Sequence, residues 1–292
     1  MPDTRTQGLL LHGPTRALTG RMRECKTMKR RFIAILTAYS KRVFLLGPSH
    51  HYYLAGAATT GCDKYRTPLG DLTIDRDLVE EIQQDWELEI MSKGTDEDEH
   101  SLEMHLPYIY KMLSLKNTSF QNDSKSVPLV PIMVGNTEAA LEAYYGSMLA
   151  PYLFDPHNVF VISSDFCHWG SRFRYTYYQP PDGSAATHLK SSSAVPSDYP
   201  IHESIAAVDH ESINAVESRS HKQFLDQLKK TGNTVCGRHP IGLFMAAVEK
   251  AGELRELGEG KGTFKFLRYE RSSLVEGVQH SSVSYCSAFA VL

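Results

Sequence analysis

The sequence predicts an α/β protein, and three observations carry that expectation. Short apolar runs of strand type alternate with segments of helical periodicity, which implies a sheet covered by helices on both faces. The chain has 292 residues and 32.8 kDa, enough for one large α/β domain or two small ones. Apolar residues make up 41% and charged residues 22%, which excludes wholesale disorder and a collagen-like fibre.

Residues 1–31 hold eight Lys/Arg against two Asp/Glu, so this segment carries +6 while the remainder carries −9. It lacks sustained periodicity and reads as a basic, poorly ordered arm. A mitochondrial transit peptide ranks lower, because no good amphipathic helix is present. The folded domain is expected over 32–292. Val43-Phe-Leu-Leu46, closed by Gly47-Pro48, reads as a buried strand ending in a turn. Residues 76–91 place Leu78, Val79, Ile82, Trp86 and Ile90 at helical spacing among charges. The acidic run Asp96–Glu99 marks a helix start near residue 100, since acidic groups favour a helix N-terminus. Val127–Val134 reads as a strand whose prolines, Pro128 and Pro131, point to an edge or a bulge.

A helix is expected over 137–153 and a buried strand over Asn158–Ser163. In 179–200, ten of 22 residues are Pro, Gly or Ser, which predicts a largely flexible surface insertion rather than a domain boundary. Helices follow near 201–216 and 221–230. A third begins after Cys236, with Ile241, Phe244, Met245 and Val248 on one face. Strands near 263–269 and 282–291 finish the domain, and no internal repeat is present.

Several function classes drop out. A net charge of −3 argues against a general nucleic-acid binder. The longest apolar run, Phe32–Tyr39, is too short to span a membrane and too far from Met1 for a secretory signal. Five scattered cysteines (Cys25, Cys62, Cys167, Cys236 and Cys286) read as reduced thiols of a cytosolic or nuclear protein, and no CxxC pair suggests a zinc finger. Dinucleotide, P-loop, nucleophile-elbow and HExxH signatures are absent from the sequence.

Four clusters could carry chemistry. Gly47-Pro-Ser-His-His51 directly follows a strand, and functional groups collect at carboxyl ends of strands. His50 and His51 suit metal ligation or proton transfer; the bland alternative is a turn with two exposed histidines. In the second cluster, His100, Glu103 and His105 crowd one helix start, where Asp96–Asp98 read simply as a solvated N-terminus. The third, Ser163-Ser-Asp-Phe-Cys-His-Trp-Gly170, again follows a strand. Asp165 and His168 share a face if the chain turns helically there, and suit metal ligation or acid–base work. The alternative is a turn capped by Asp165. In the fourth, Cys236-Gly-Arg-His-Pro240, a helix N-terminus and Arg238 would lower the thiol pKa, against the commoner fate of a buried inert thiol.

These clusters, with Tyr65-Arg-Thr-Pro-Leu69, Arg172-Phe-Arg-Tyr175 and Ser281-Ser-Val-Ser-Tyr285, resemble the Memo family, named for a mediator of receptor-driven cell motility. The resemblance runs from about residue 42 to the C-terminus. It implies a single α/β domain with a central mixed sheet and helices on both faces, similar to class III extradiol dioxygenases. It implies a copper or iron pocket in which a cysteine replaces the carboxylate of those enzymes. By motif, His50 matches a ligand histidine and Cys236 the cysteine ligand. Asp165 and His168 match pocket residues beside the metal. His51, His100, Glu103, His105, Arg238 and His239 are pocket or supporting candidates. The resemblance also implies roles in redox and metal handling and in motility signalling.

One departure concerns the start of the chain. Family members carry a Pro-His-Ala-Gly-Tyr motif on the first strand, and its histidine is a further ligand. No such motif is present, and His12 in Leu11-His-Gly-Pro14 lies in a different context. Either the first residues do not represent the natural N-terminal part, which their patternless basic composition favours, or the site is divergent. In the first case the sheet should lack a strand beside Val43–Leu46. Three functions follow in order of expectation: a redox-metal protein; a module binding a phosphotyrosine or acidic peptide through Arg238, Arg172 and Arg174; and an extradiol-type dioxygenase, which the thiolate ligand disfavours.

Overall fold

The computed structural model describes residues 9–12, 40–114, 127–194, 198–254 and 261–291. The chain enters the sheet at β1 (Leu9–His12) and crosses it in β2 (Arg42–Pro48) and β3 (Ala57–Thr60). A hairpin of β4 (Lys64–Thr67) and β5 (Gly70–Thr73) leads to helix α1 (Arg76–Asp85) and edge strand β6 (Glu89–Met91). Three short helices follow: α2 (Lys93–Asp98), α3 (His100–Glu103) and α4 (Leu106–Ser114). Strand β7 (Leu129–Val134), helix α5 (Ala139–Leu149) and strand β8 (Asn158–Ser163) complete the central layer.

The six strands lie in the order β1-β8-β2-β7-β3-β6. β1, β8, β2 and β7 are mutually parallel, whereas β3 runs antiparallel to β7, so the sheet is mixed. β2, β7 and β8 are buried along nearly their whole length, as expected of strands covered on both faces. Their parallel course brings the turn after Pro48 and the loop after Ser163 to one edge of the sheet.

The second half of the chain adds β9 (His168–Trp169), then β10 (Tyr177–Tyr178) paired with β11 (Thr187–His188). Helices α6 (Ile201–Glu217), α7 (His221–Thr231) and α8 (Arg238–Leu254) follow. α8 packs on α5, β2 and β8. Strands β12 (Thr263–Arg271) and β13 (Ser282–Val291) form a second, antiparallel sheet in the order β12-β13-β9. Phe264, Cys286, Ala288 and Ala290 of this sheet join the main core, so both sheets share one apolar interior.

Several expectations are corrected. β7 is central, not an edge, despite Pro131. Backbone groups alternate sides along a strand, and the ladder to β3 ends at Thr59↔Ile132, one residue short of Pro131. The proline nitrogen therefore faces a side where no donor is needed, and its carbonyl accepts the Thr59 hydroxyl at 2.8 Å. The helix expected to 91 stops at Asp85; Glu87 takes a positive φ of 56° and redirects Ile90 into β6. A helix does start at His100, as expected, but it is the short middle one of three. Ser92 caps the N–H of Thr95, and Glu99 sits in extended backbone (φ −87°, ψ 108°) and caps that of Ser101, which breaks the continuity.

Of the expected arm, Leu9–His12 pair as an edge strand with Phe160–Ser163. Its remaining residues, Cys25 and Phe32–Tyr39 lie outside the described residues. The sheet does not lack a strand beside Val43–Leu46: β8 and β7 flank it on either side. Within the expected insertion, β11 pairs with β10, and Tyr199 packs against the small cluster of Trp169, Tyr178 and Ile201.

Candidate metal centre

The turn after β2 is fixed by α3. The Ser101 hydroxyl donates to the Pro48 carbonyl at 2.7 Å. The approach is close enough that a Cβ on Gly47 would lie 2.7 Å from Ser101 Oγ and 2.9 Å from Leu102 Cδ2, so any larger residue would push these side chains aside. This contact brings His50 against Glu99. Glu99 Oε2 accepts the His50 backbone N–H at 2.6 Å, and Oε1 lies 2.9 Å from His50 Nδ1.

The loop after β8 is stitched to the start of α8 in the same way. The Asp165 N–H donates to Cys236 Sγ at 3.0 Å, and the Cys236 N–H donates to the Asp165 carbonyl at 3.2 Å. The Gly237 N–H donates to Ser164 Oγ at 3.0 Å, and a Cβ on Gly237 would fall 2.3 Å from the Ser163 carbonyl oxygen. Two strand-end segments and a helix start thus converge, with His50 hydrogen-bonded to Glu99 and Cys236 near enough to help raise its imidazole.

The electrostatics follow from this packing. Burial opposes charge on His50, but contacts with Cys236 and Glu99 outweigh it and raise the imidazole to about 10. Burial likewise opposes the Glu99 carboxylate, and bonds from the His50 ring, the His50 N–H and the Ser101 N–H overcome it, lowering the group to about 2. Asp165 is raised to about 7 by burial, with only the His50 charge pulling the other way. Its Oδ1 is buried without a hydrogen-bond partner. Such an orphaned acceptor costs free energy unless something else occupies the site.

His168 is lowered by burial and by the charges of His50 and Arg172. Its Nδ1 lies 2.9 Å from the Phe166 carbonyl and 3.1 Å from that of Thr234, which fixes the proton on Nδ1. The lone pair on Nε2 therefore faces Asp165 Oδ2, 3.9 Å away. The Asp165–His168 segment is extended rather than helical, so the two side chains meet across a loop and not on a helix face.

The structure thus brings together His50, Cys236, Asp165 and His168. His100 lies at the mouth, its ring stacked on His50 at 4.5 Å, and the exposed His51 meets His100 edge-on at 5.6 Å. Glu103 is exposed on α3, near enough to act on His100 through its charge alone. His105 is buried at the junction of α3 and α4, where its carbonyl receives the N–H groups of Tyr108 and Ile109. Arg238 is exposed and donates to His239 Nε2 at 3.0 Å. His239 Nδ1 lies 2.8 Å from Oε1 of Glu142, whose Oε2 meets His221 at 2.5 Å, so His239 belongs to a separate buried carboxylate group. Arg172 lies over the Phe173 ring at 4.3 Å.

Two groups were missed in the sequence. Glu99 is hidden in an acidic run, and its capping position before α3 was the available signal. Tyr285 of β13, raised by burial and then by Asp165, lies close enough to feel that charge; its segment Ser281–Tyr285 carried the resemblance, but the tyrosine was not named a site residue. Among the described residues, His50, Glu99 and His100 form a group whose ligand atoms all lie within 4.8 Å of one another and could hold a metal ion. His12 ends β1 level with Ser163, at the same sheet edge.

Comparison with known proteins places the chain among similar sequences. A family model described as Memo-like protein matches residues 19–289. Protein MEMO1 of Xenopus laevis is 42% identical over 253 residues, covering 87% of this chain and 76% of that protein. Protein MEMO1 of Homo sapiens is 40% identical over 248 residues, covering 85% and 74%. The crystal structure of an uncharacterized Escherichia coli K12 protein is similar with a TM-score of 0.51 and 12% identity, over 95% of this chain and 99% of that one; at that identity the likeness concerns the fold alone. Among the described residues no helix is long and apolar enough to cross a membrane.

Proposed function

The chain belongs to the Memo family, and from that premise we propose that the pocket at the carboxyl edge of the sheet holds a redox-active metal. Cys236 and His50 are the ligands, and Asp165 and His168 are the proton-handling pair. The observation that carries this reading is the buried, unpartnered Asp165 Oδ1 in a loop whose Asp165 N–H already donates to the Cys236 thiol. Soft thiolate suits Cu(I), and imidazole with carboxylate suits iron. Bound copper or iron would supply one-electron chemistry.

The protein's own residues prepare the site. The Glu99 carboxylate accepts the His50 Nδ1–H and holds the ring in one orientation, the arrangement by which an outer carboxylate orients a ligating imidazole. His168, protonated on Nδ1, offers Nε2 to Asp165. With Asp165 near 7, one proton is exchangeable between these two groups at neutral pH. Roles in metal handling and motility signalling belong to the same proposal, supported by the family membership.

Anaerobic titration with Cu(I) and Fe(II), run beside Cys236→Ser, tests the reading. Stoichiometric binding that the substitution abolishes is expected. Affinity indifferent to Cys236→Ser would overturn it.

A second reading, capture of a phosphotyrosine or acidic peptide, is favoured by Arg172, whose guanidinium is held on Phe173 where its charge reaches His168 and Tyr285. Such binding should survive chelator and weaken with salt and with Arg172→Gln.

A further inference from the structure

We infer that the mouth of the pocket carries a second, thiol-independent site for a divalent d-block cation, built from Glu99 and His100 with the Glu99-facing side of His50. This rests on the metal reading only in sharing His50. The inner position takes that imidazole from the Cys236 side; the outer one takes it from the Glu99 side. One ligand atom from each of His50, Glu99 and His100 lies within 4.8 Å of the others. Ligands on a tetrahedral zinc-like ion at bonds of about 2.0–2.1 Å sit roughly 3.4 Å apart. Glu99 Oε1 is already 2.9 Å from His50 Nδ1 and 3.6 Å from His100 Nδ1, so little movement closes the set.

The three residues differ in freedom in the way a binding site needs. Glu99 is buried and fixed by the Ser101 N–H and the His50 N–H. His100 is half exposed and able to adjust, with a side-chain exposure of 49%. His51, edge-on to His100, is a fourth imidazole at the same mouth. A cation at Glu99 would replace the proton now held between Glu99 and His50, leaving the Cys236 side of the ring untouched. Donor chemistry separates the two positions: a thiolate selects thiophilic ions, whereas imidazole with carboxylate suits zinc, cobalt and Cu(II).

Co2+ titration of the full chain, of Cys236→Ser and of Cys236→Ser/His100→Ala tests the inference, read by equilibrium dialysis and visible absorption. Cys236→Ser is expected to bind one equivalent of Co2+ with no sulfur-to-cobalt charge-transfer band. Adding His100→Ala is expected to weaken that binding at least tenfold. Thermal melts confirm that each variant is folded, and His51→Ala in the Cys236→Ser background serves as a milder variant with a smaller loss. A folded Cys236→Ser chain that binds no Co2+, or a double variant that binds within twofold of it, overturns the outer site. Failure of the inner reading is separate: it is Cu(I) affinity of the wild-type chain unchanged by Cys236→Ser.

Discussion

Glu99 and His50 form the hinge of the site at the level of single residues. Each is pushed toward its charged form by the other, against the cost of burial. Glu99→Gln keeps the shape but removes the charge that orients the ring. His50 is then expected to fall below about 10, with the Cys236 contribution remaining, read by NMR titration of the metal-free chain. Cu(I) affinity should drop about 10–100-fold, the usual cost of losing such an orienting partner, as a competition titration would show. The pair also sets a pH window. The Glu99 contribution to stability is present above 4.5 and lost as pH falls through about 2, and that of His50 is present below 6.5 and lost as pH rises through about 10. Asp165 acts in the opposite sense to Glu99. Its folded value of about 7 lies above the ordinary 3.8, so the stability it contributes when protonated is present below 3.8 and lost as pH rises through 7. Asp165→Asn removes that loss. Relative to wild type, the variant should gain in urea midpoint between pH 4 and pH 8; a difference constant with pH would refute the assignment.

At the level of elements, the site depends on how closely α8 approaches the end of β8. Gly237→Ala places a methyl 2.3 Å from the Ser163 carbonyl oxygen and 2.4 Å from Ser164 Cβ, neither of which is a flexible end. The start of α8 must move, carrying Cys236 with it. A loss of about 1–3 kcal/mol in urea unfolding is expected from overpacking of this kind, together with weakened metal binding. The same elements explain what the sequence made legible. Val43–Leu46 and Asn158–Ser163 are unmistakable because strands buried on both faces are apolar throughout. The strand-end clusters follow at once, since the parallel course of β2 and β8 brings their ends to one edge. What stayed hidden depended on distant partners. Pro131 reads as an edge signal until Thr59, 72 residues away, is seen to take its carbonyl. Glu99 reads as one more solvated acid until His50, 49 residues away, turns against it. Asp165 and His168 carried the right residue types but the wrong local geometry, because Ser284 binds the backbone of Phe166 and Cys167 as β13 continues past β9, holding that segment extended.

Asp209 connects these parts across the whole molecule. It is fully buried on α6 and raised by burial. Its Oδ1 accepts the Cys167 N–H at 3.1 Å from the site loop and Asn233 Nδ2 at 3.0 Å from the segment after α7. Its Oδ2 accepts the Tyr269 hydroxyl at 2.9 Å from β12. One carboxyl group therefore ties the second sheet, the α6–α7 pair and the candidate metal centre together. Thr234, next to Asn233, extends the tie: its hydroxyl oxygen accepts the His168 N–H at 2.8 Å. Asp209→Ala leaves the buried Cys167 N–H without an acceptor and takes one of two partners from Asn233 Nδ2 and from the Tyr269 hydroxyl, which keep Ser212 Oγ and Ser284 Oγ. At about 1–3 kcal/mol for each unsatisfied group, with partial relaxation, a loss on the order of 3 kcal/mol is expected. For a chain of this size that corresponds to a fall in Tm of roughly 6–9 °C by calorimetry. Asp209→Asn keeps one acceptor oxygen and should lose less. If the tie also positions the site, Cu(I) affinity should fall in Asp209→Ala although the residue touches none of the proposed ligands. A large fall in Tm with unchanged affinity would mean that Asp209 holds the two sheets together without reaching the metal.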